Sequence, residues 1–280
     1  MTETVAFVGT TGGAGTTTTV VEFAAALARD GRTVRILDAD YATQGLARYV
    51  EGRIDTDVTT LCVEDGDGSD SDASLADATF DIEFDADVPG RVAVTPADAP
   101  FERLARAKTT AAARRLQTLC RDASHDAEFV FLDVPPVAAN QHVAAVTEAD
   151  RIVAVTPGDE RGADALRQLR DRLADVDAEL DGVVSTRAEI TAADAVLPDA
   201  PPSVTDDPTA LGDDEAAAAV VTATETTLDT DLGIEIDTDG VVDQIRERLD
   251  RGDETAEMED GDSAADTTAD GDDSIESGGG

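Results

Sequence analysis

The residues best placed to do chemistry lie in a glycine-rich segment near the start of the chain, residues 9–19, which read GTTGGAGTTTT. Its glycines at positions 12, 13 and 15 let the backbone approach a ligand closely. Successive backbone N–H groups in such a loop bind phosphate oxygens, and a following helix adds partial positive charge. Thr17 stands where the general pattern G-x-x-x-x-G-K-[ST] places the hydroxyl that meets Mg²⁺. The segment therefore predicts a site for a phosphorylated ligand.

Two apolar segments flank this loop and predict the elements that hold it. Residues 5–8, VAFV, form a short apolar run that is typical of a buried strand. Residues 20–28, VVEFAAALA, have apolar positions that suit a buried helix. A strand, a glycine loop and a helix in this order are the context that makes a phosphate-binding loop credible.

Aspartates follow two further apolar runs. Residues 33–37 lead into Asp38 and Asp40, and residues 129–132 lead into Asp133. Because the carboxyl ends of parallel strands form the ligand-binding edge of an α/β sheet, these carboxylates are candidates for a metal or catalytic site. The alternative for the first pair is a strand-ending turn with two solvated carboxylates.

These three blocks resemble the MinD/ParA family, the deviant Walker A P-loop ATPases of the SIMIBI class, whose loop is written K-G-G-x-G-K-[ST]-T. The segment from Gly12 to Gly15 matches that loop, as do Thr17 and Thr18, whereas Thr11 and Thr16 replace both lysines. The resemblance runs through about residues 3–250. It implies an α/β, P-loop NTPase fold, with a mainly parallel twisted sheet and helices on both faces.

The resemblance also implies ATP and Mg²⁺ as cofactors and assigns roles to the matching residues. Asp40 would be the catalytic residue that positions the attacking water. Thr17, Asp38 and Asp133 would bind Mg²⁺ or support its shell. Thr186 stands where the family uses an asparagine to read the adenine edge, which weakens base recognition. The nucleotide contacts implied along the loop come from Gly12, Gly13, Ala14, Gly15, Thr16, Thr17 and Thr18.

The loss of both loop lysines bears directly on activity. Each charge-assisted contact is worth about 1.5–3 kcal/mol, so losing two predicts ATP binding weaker by roughly 10²–10⁴. Hydrolysis should be weak or absent, since positive charge offsets the charge that develops in the transition state. In the family the first lysine reaches the partner subunit's phosphate, so an ATP-dependent sandwich dimer is not expected here.

Three functions are open on these grounds. The favoured one is a degenerate relative that acts as a regulatory or interaction module in intracellular positioning or partitioning, with a protein partner. The second is a working ATP-dependent switch for chromosome partitioning or the placement of cell-division machinery. In molar salt, where the Debye length is about 3 Å, an ordered cation could substitute for an exposed lysine. The third, with less support, is an ATP-dependent ligase or synthetase, which would need the loop lysine.

The large excess of acidic over basic residues indicates what kind of surface the protein has. The chain has 21 Lys and Arg against 62 Asp and Glu, a net charge of −41, and its only lysine is Lys108. Such a surface is typical of a halophilic protein kept soluble in molar salt, and it argues against direct nucleic-acid binding. We find no apolar run of about 18 residues, no signal peptide and no membrane-targeting helix, and therefore expect a cytoplasmic protein.

The remaining segments predict the domain organisation. A P-loop domain should span 1–251, with a flexible acidic insertion at 64–88 and a closing helix at 239–251. Residues 252–280 are predicted to be a disordered acidic tail. An amphipathic helix over 100–121 carries most of the clustered basic residues, which either pair with nearby carboxylates or dock an acidic partner.

Four further residues have no predicted role in the site. His125 and His142 lie far along the chain from the three blocks and are expected to be incidental. Cys62 and Cys120 form no metal-binding pattern and are expected to be small buried hydrophobes.

Overall fold

A computed structural model describes residues 2–63, 73–199, 203–234 and 236. One compact unit spans Met1–Thr238, and a second, Asp239–Gly280, lies outside the described residues. The predicted helix over 239–251 and the predicted tail over 252–280 fall in that second part. The proposed boundary between them therefore stays a prediction.

An eight-stranded sheet forms the centre of the described part, in the order β3-β4-β2-β5-β1-β6-β7-β8. Every neighbouring pair is parallel except β3 and β4. Because β1 lies between β5 and β6, the loop that follows β1 opens at the middle of the sheet edge. The strands are β1 (Glu3–Gly9), β2 (Thr33–Asp38), β3 (Phe80–Asp81), β4 (Arg91–Thr95), β5 (Phe129–Val134), β6 (Arg151–Pro157), β7 (Gly182–Thr186) and β8 (Ala195–Leu197).

Helices cover both faces of this sheet, because successive side chains of a buried strand point to opposite sides. Val5 and Phe7 of β1 face a core built with α1 and α7, whereas Ala6 and Val8 face a core built with α2, α4, α5 and α6. The predicted fold class is confirmed. The helices are α1 (Thr16–Arg29), α2 (Val58–Cys62), α3 (Phe101–Ala107), α4 (Thr110–Ala123), α5 (Asn140–Glu148), α6 (Glu160–Ala174) and α7 (Glu215–Leu228).

Three buried phenylalanines pack together in the core beneath the sheet edge that carries the glycine loop. The ring of Phe7 in β1 meets Phe23 of α1 at 5.4 Å and Phe131 of β5 at 4.9 Å, both edge to face. All three side chains are fully buried. Aromatic pairs in this geometry contribute about 0.5–1.5 kcal/mol beyond their burial. They hold the start of α1 against the ends of the two strands that carry the loop and Asp133.

The single helix predicted over 100–121 is wrong, because the structure has two helices there. Helix α3 ends at Ala107, and α4 begins at Thr110 after a break at Lys108 and Thr109. The Thr109 hydroxyl accepts the N–H of Ala112 and caps α4, a role that threonine fills well. The break separates the basic residues between two short helices.

Among the basic residues of 100–121, Arg103 and Arg121 pair with carboxylates, which is the first of the two alternatives given for this segment. Arg103 lies 3.1 Å from the fully buried carboxylate of Asp57. Arg121 forms a fork-shaped pair with Glu148 of α5, at 2.6 and 2.7 Å. These contacts tie α3 and α4 to the rest of the domain.

The acidic segment predicted as an insertion differs from expectation in its second half. Residues 64–72 lie outside the described residues, but a 3-10 helix at Leu75–Ala78 and strand β3 pack at the sheet edge. Ala78 and Ile82 are buried there, because these apolar side chains extend the core beyond β4. The part of the segment from residue 73 is therefore structured.

Several other elements differ from their predicted form. A 3-10 helix at Gly45–Tyr49 stands where a short helix over 41–52 is predicted. Helix α7, capped by the Asp214 carboxylate, has no counterpart in the sequence analysis, because its apolar residues follow no clear helical face. Both cysteines are buried and unpaired, as predicted. Across the described part of the chain, no helix has the length and apolar character needed to cross a membrane.

Candidate functional site

The glycine loop has a backbone shaped to receive an anion. Gly13 and Gly15 adopt positive φ angles of 76° and 90°, and the N–H of Ala14 donates to the Thr11 carbonyl at 3.2 Å. A side chain added at Gly12 or Gly13 would meet nothing within 4 Å, so both glycines border open space. Helix α1 starts immediately afterwards at Thr16, and its free N–H groups add to the attraction for an anion. This cradle fits a phosphate group.

The loop lines a cavity of about 770 Å³, a size typical of small-molecule sites. The cavity also receives Asp40 from the end of β2 and Asp133 from the end of β5. The structure thus brings together the loop and both acidic blocks predicted from the sequence. The predicted site residues that line it are Gly12, Gly13, Ala14, Gly15, Thr16, Thr17, Thr18, Asp40 and Asp133.

A hydrogen bond joins two of the three residues that are predicted to bind Mg²⁺ or support its shell. The Thr17 hydroxyl at the start of α1 donates to Oδ2 of Asp133 at 2.6 Å. Asp133 is only 1% exposed, and this burial raises the pKa of its carboxyl to about 7. The bond from Thr17 works in the opposite direction and lowers that pKa, whereas the nearby charge of Asp40 raises it.

Asp38 lies beside Asp133 in the sheet but does not line the cavity. The two residues are register partners between β2 and β5. The carboxylate of Asp38 accepts the backbone N–H of Asp40 at 2.8 Å and that of Ala97 at 3.2 Å. Burial first, and then the neighbouring charge of Asp133, hold the pKa of Asp38 well above its usual range. The contacts of Asp38 shape the strand end, and its support of a Mg²⁺ shell stays a prediction.

Asp40 is held at the cavity by a short turn. Its carboxylate accepts the N–H of Thr43 at 3.1 Å, and its carbonyl accepts the N–H of Gln44 at 3.0 Å. The side chain is half-buried and borders the same cavity as Thr17. This arrangement leaves a carboxylate oxygen for a water molecule or a ligand.

These donors fit Mg²⁺. A hydroxyl and carboxylates are the hard oxygen ligands that this ion takes, and it usually keeps several waters as well. Within the described ranges, no group of three His, Cys, Asp or Glu side chains is gathered to hold a metal. Mg²⁺ is commonly bound by one or two carboxylates together with phosphate oxygens, and such a site does not need a group of three.

Neither residue at the two lysine positions carries charge into the cavity. Thr16 packs back on the strand end, where its Oγ1 would lie 2.5 Å from a side chain at Gly9. Thr11 contributes its backbone carbonyl to the turn. Positive charge from the loop itself therefore comes only from backbone N–H groups and the helix end.

Thr186 braces the loop. Its hydroxyl donates to the carbonyl of Ala14 at 3.0 Å, and the residue is 8% exposed. It lines a neighbouring cavity of about 310 Å³ together with Gly15, Thr18 and Glu22. Contact of Thr186 with a base stays a prediction, and the contact that the structure shows is with the loop.

Several residues that line the cavity were not predicted to belong to a site, among them Arg48, Lys108, Gln141 and His142. His142 borders the cavity although it lies far from the loop in sequence, and its lack of a chemical role stays a prediction. Its Nδ1 accepts the N–H of Ala138 at 3.2 Å, and its Nε2 lies 2.9 Å from the amide nitrogen Nε2 of Gln141. Burial lowers the pKa of His142 to about 4, with Asp40 opposing and Lys108 adding to the shift. No spacing in the sequence signals these residues.

Comparison with known proteins agrees with this geometry. A family model described as an AAA domain matches residues 2–185. No curated protein sequence matches the chain.

Solved structures of three proteins are similar in fold. The septum site-determining protein MinD of Pyrococcus horikoshii, complexed with Mg-ADP, aligns with a TM-score of 0.63 at 18% identity, over 80% of this chain and 95% of MinD. A chain of the MinC:MinD cell division protein complex of Aquifex aeolicus gives 0.61 at 16% identity, over 83% of this chain and 98% of that one. A ParA family ATPase of Chlorobium tepidum gives 0.60 at 15% identity, over 82% and 98%.

The family model covers well over half of the chain, and the similar structures share its fold over about four fifths of its length. The chain therefore belongs to the AAA-domain family and has the P-loop fold of the MinD/ParA ATPases.

Proposed function

We propose that this chain is a MinD/ParA-type protein that binds Mg–nucleotide weakly, hydrolyses it weakly or not at all, and acts as a regulatory or interaction module in intracellular positioning or partitioning. One observation carries the proposal: the phosphate cradle is intact, whereas Thr11 and Thr16 bring no charge to it. The sites expected to hold Mg²⁺ are Thr17 and Asp133.

The loop geometry supports retained binding. Backbone N–H groups and the α1 terminus act on a phosphate without any side chain. The oxygen donors Thr17 and Asp133 lie at hydrogen-bonding distance and border the same cavity. The similar MinD of P. horikoshii is complexed with Mg-ADP, which favours the same class of ligand for this chain.

The uncharged loop supports weak turnover. The γ-phosphoryl group gathers negative charge as it is transferred, and catalysis depends on cations placed against it. The carboxylates Asp40 and Asp133 can position water and metal, but they add negative charge rather than neutralise it. We expect a turnover well below about 1 s⁻¹, the low end of typical enzymes.

A protein partner is part of the proposal. MinD of A. aeolicus is seen in a complex with MinC, which favours a protein partner for this chain as well. The cytoplasm is the proposed compartment. Direct nucleic-acid binding is not proposed, because the net charge of −41 repels phosphate backbones.

Calorimetry of the full chain in molar KCl tests this function. We expect Mg-ATP and Mg-ADP to bind with dissociation constants far above those of lysine-bearing loops, and Thr17→Ala to weaken the Mg²⁺-dependent part. A matched control is Thr118→Ala, which removes an exposed hydroxyl on α4. Complete lack of binding for every nucleotide would contradict retained binding, and steady ATP hydrolysis near 1 s⁻¹ would favour the working switch.

The working switch is the second candidate. Asp40, Asp133 and Thr17 all stand at the cavity where a hydrolysing member would need them. That observation is the reason for measuring turnover and binding in the same preparation.

A further inference from the structure

The only lysine of the chain borders the phosphate cavity. Lys108 lines the same cavity as Gly12, Gly13 and Thr17, although it comes from the junction of α3 and α4, far from the loop in sequence. The remaining 20 of the 21 basic residues are arginines. An ammonium is a compact point charge of the kind that phosphate-binding loops use, and a guanidinium differs from it in shape and hydration.

The backbone around Lys108 is held in place on both sides. Ala107 is fully buried, and Thr109 caps α4 through the N–H of Ala112. The carbonyl of Lys108 accepts a hydrogen bond of 2.9 Å from Nδ2 of Asn140, the first residue of α5. Since α5 follows β5 and Asp133, this bond fixes the junction to the segment that carries the acidic half of the site.

The ammonium group is free to act on a ligand. Among the residues that the structure describes, Lys108 forms no ion pair, although the chain carries 62 acidic residues. Its side chain is exposed, and it lies close enough to His142 for its charge to act on that ring. Lys108 lines the same cavity as the carboxylates of Asp40 and Asp133, so an anion that enters this cavity with a metal ion would come within its reach.

We propose that Lys108 supplies, from the α3–α4 junction, the phosphate-binding positive charge that the loop lacks at Thr11 and Thr16. The inference rests on the proposed nucleotide-binding function and names a residue that contacts the polyphosphate. The positive charge on the phosphate would then come from the α3–α4 junction at Lys108 and not from the glycine loop.

Chemical modification tests the contact directly. Because Lys108 is the only lysine, an amine-specific reagent followed by mass spectrometry of the 107–114 region reports on this side chain alone. We expect Mg–tripolyphosphate and Mg-ATP to protect Lys108 from modification in molar KCl. Adenosine, which has no phosphate, should not protect it. Equal modification with and without a bound polyphosphate would overturn the proposal.

Binding measurements form the second arm. We expect Lys108→Ala to weaken tripolyphosphate binding about 10-fold or more, and Lys108→Arg to restore part of the loss. The matched control is Arg53→Gln, which removes one positive charge at a side chain that is 87% exposed and paired with Asp55. Arg48, the other basic residue that the described part places at the cavity, is tested as Arg48→Gln. A loss confined to Arg48→Gln would also overturn the proposal.

The modification and binding experiments together distinguish a failure of the Lys108 proposal from a failure of the proposed function. If the wild-type chain binds tripolyphosphate but no nucleotide, the function fails while the Lys108 variants still decide the cation. If nucleotide binds and Lys108→Ala binds it equally well, the function stands and the role of Lys108 is wrong. If neither tripolyphosphate nor ATP binds at millimolar concentrations, both are wrong.

Discussion

The Thr17 hydroxyl donates to the Asp133 carboxylate at 2.6 Å, and this bond joins the first turn of α1 to the end of β5. The two residues are 116 positions apart in the chain. Their contact unites the loop and the buried aspartate into one oxygen-rich site. It also partly offsets the cost of burying a carboxylate, because it lowers a pKa that burial raises to about 7.

Replacing Asp133 by Asn should stabilise the metal-free protein at pH 8. The unfolded carboxyl has an ordinary pKa near 3.8, whereas the folded one is raised to about 7. The folded state therefore binds more protons between these values, and stability falls as pH rises through 7. Asn keeps an oxygen for Thr17 and removes the buried charge.

Thermal unfolding with EDTA in molar KCl measures this effect, and we expect a melting temperature higher by several degrees. Asp55→Asn, at a side chain that is 73% exposed, is the control and should change little. The same Asp133→Asn protein should lose Mg²⁺-dependent binding, the usual trade between stability and function at a site. A lower melting temperature at pH 8 would contradict the buried-charge argument.

Replacing His142 by Gln should change how stability depends on pH. The pKa of His142 falls from 6.5 to about 4 on folding, so the unfolded chain binds the extra proton between those values. Wild-type stability should therefore drop relative to the variant as pH is lowered from 6.5 towards 4, by at most about 3 kcal/mol. The charges of Asp40 and Lys108 act on this ring only in the wild type and are already part of its lowered pKa.

Urea unfolding of both proteins at several pH values checks this prediction. His125→Gln, on an exposed ring, is the matched control and should leave the profile unchanged. If the wild type and His142→Gln keep a constant difference from pH 7 to pH 4.5, then His142 is not held neutral by its surroundings.

Restoring a lysine in the loop should raise nucleotide affinity. Thr16→Lys returns the charge at the start of α1, beside a cradle whose glycines border open space. A charge-assisted contact contributes about 1.5–3 kcal/mol, which is roughly a 10- to 150-fold gain. Calorimetry with Mg-ATP measures the gain, and Thr118→Lys on exposed α4 controls for added charge. No gain would show that the cradle does not accept a phosphate in this position.

Nucleotide should not double the mass of the protein. Thr11 has a short, uncharged side chain, so the cross-subunit contact made by the family's first lysine cannot form. Light scattering in molar KCl, with and without ATP and Mg²⁺, should give the same mass in both cases. The double variant Thr11→Lys, Thr16→Lys, which restores both loop lysines, is the positive control for dimerisation. A wild-type monomer that dimerises only with ATP would instead support the second candidate function, a working ATP-dependent switch.

The amino-acid sequence by itself determined the architecture and most of the site. Apolar runs before Gly9, Asp38 and Asp133 specify buried parallel strands, since such strands need apolar residues on both faces. Parallel strands deliver their carboxyl ends to one edge, so the sequence also implies that the loop, Asp40 and Asp133 meet. The missing lysines at 11 and 16 are visible in the sequence alone.

Only the tertiary structure decided which distant residues complete the cavity. Lys108 and His142 lie on separate segments, and no periodicity connects them to the loop. The position of Lys108 depends on the local break at Thr109 and on the bond from Asn140 to Lys108, and this second contact forms only once α4 and α5 pack together. The same holds for Asp38, whose oxygens are taken by backbone N–H groups instead of facing the cavity. Side-chain direction and long-range packing set these outcomes, because local pattern encodes the elements but not the partners that they meet.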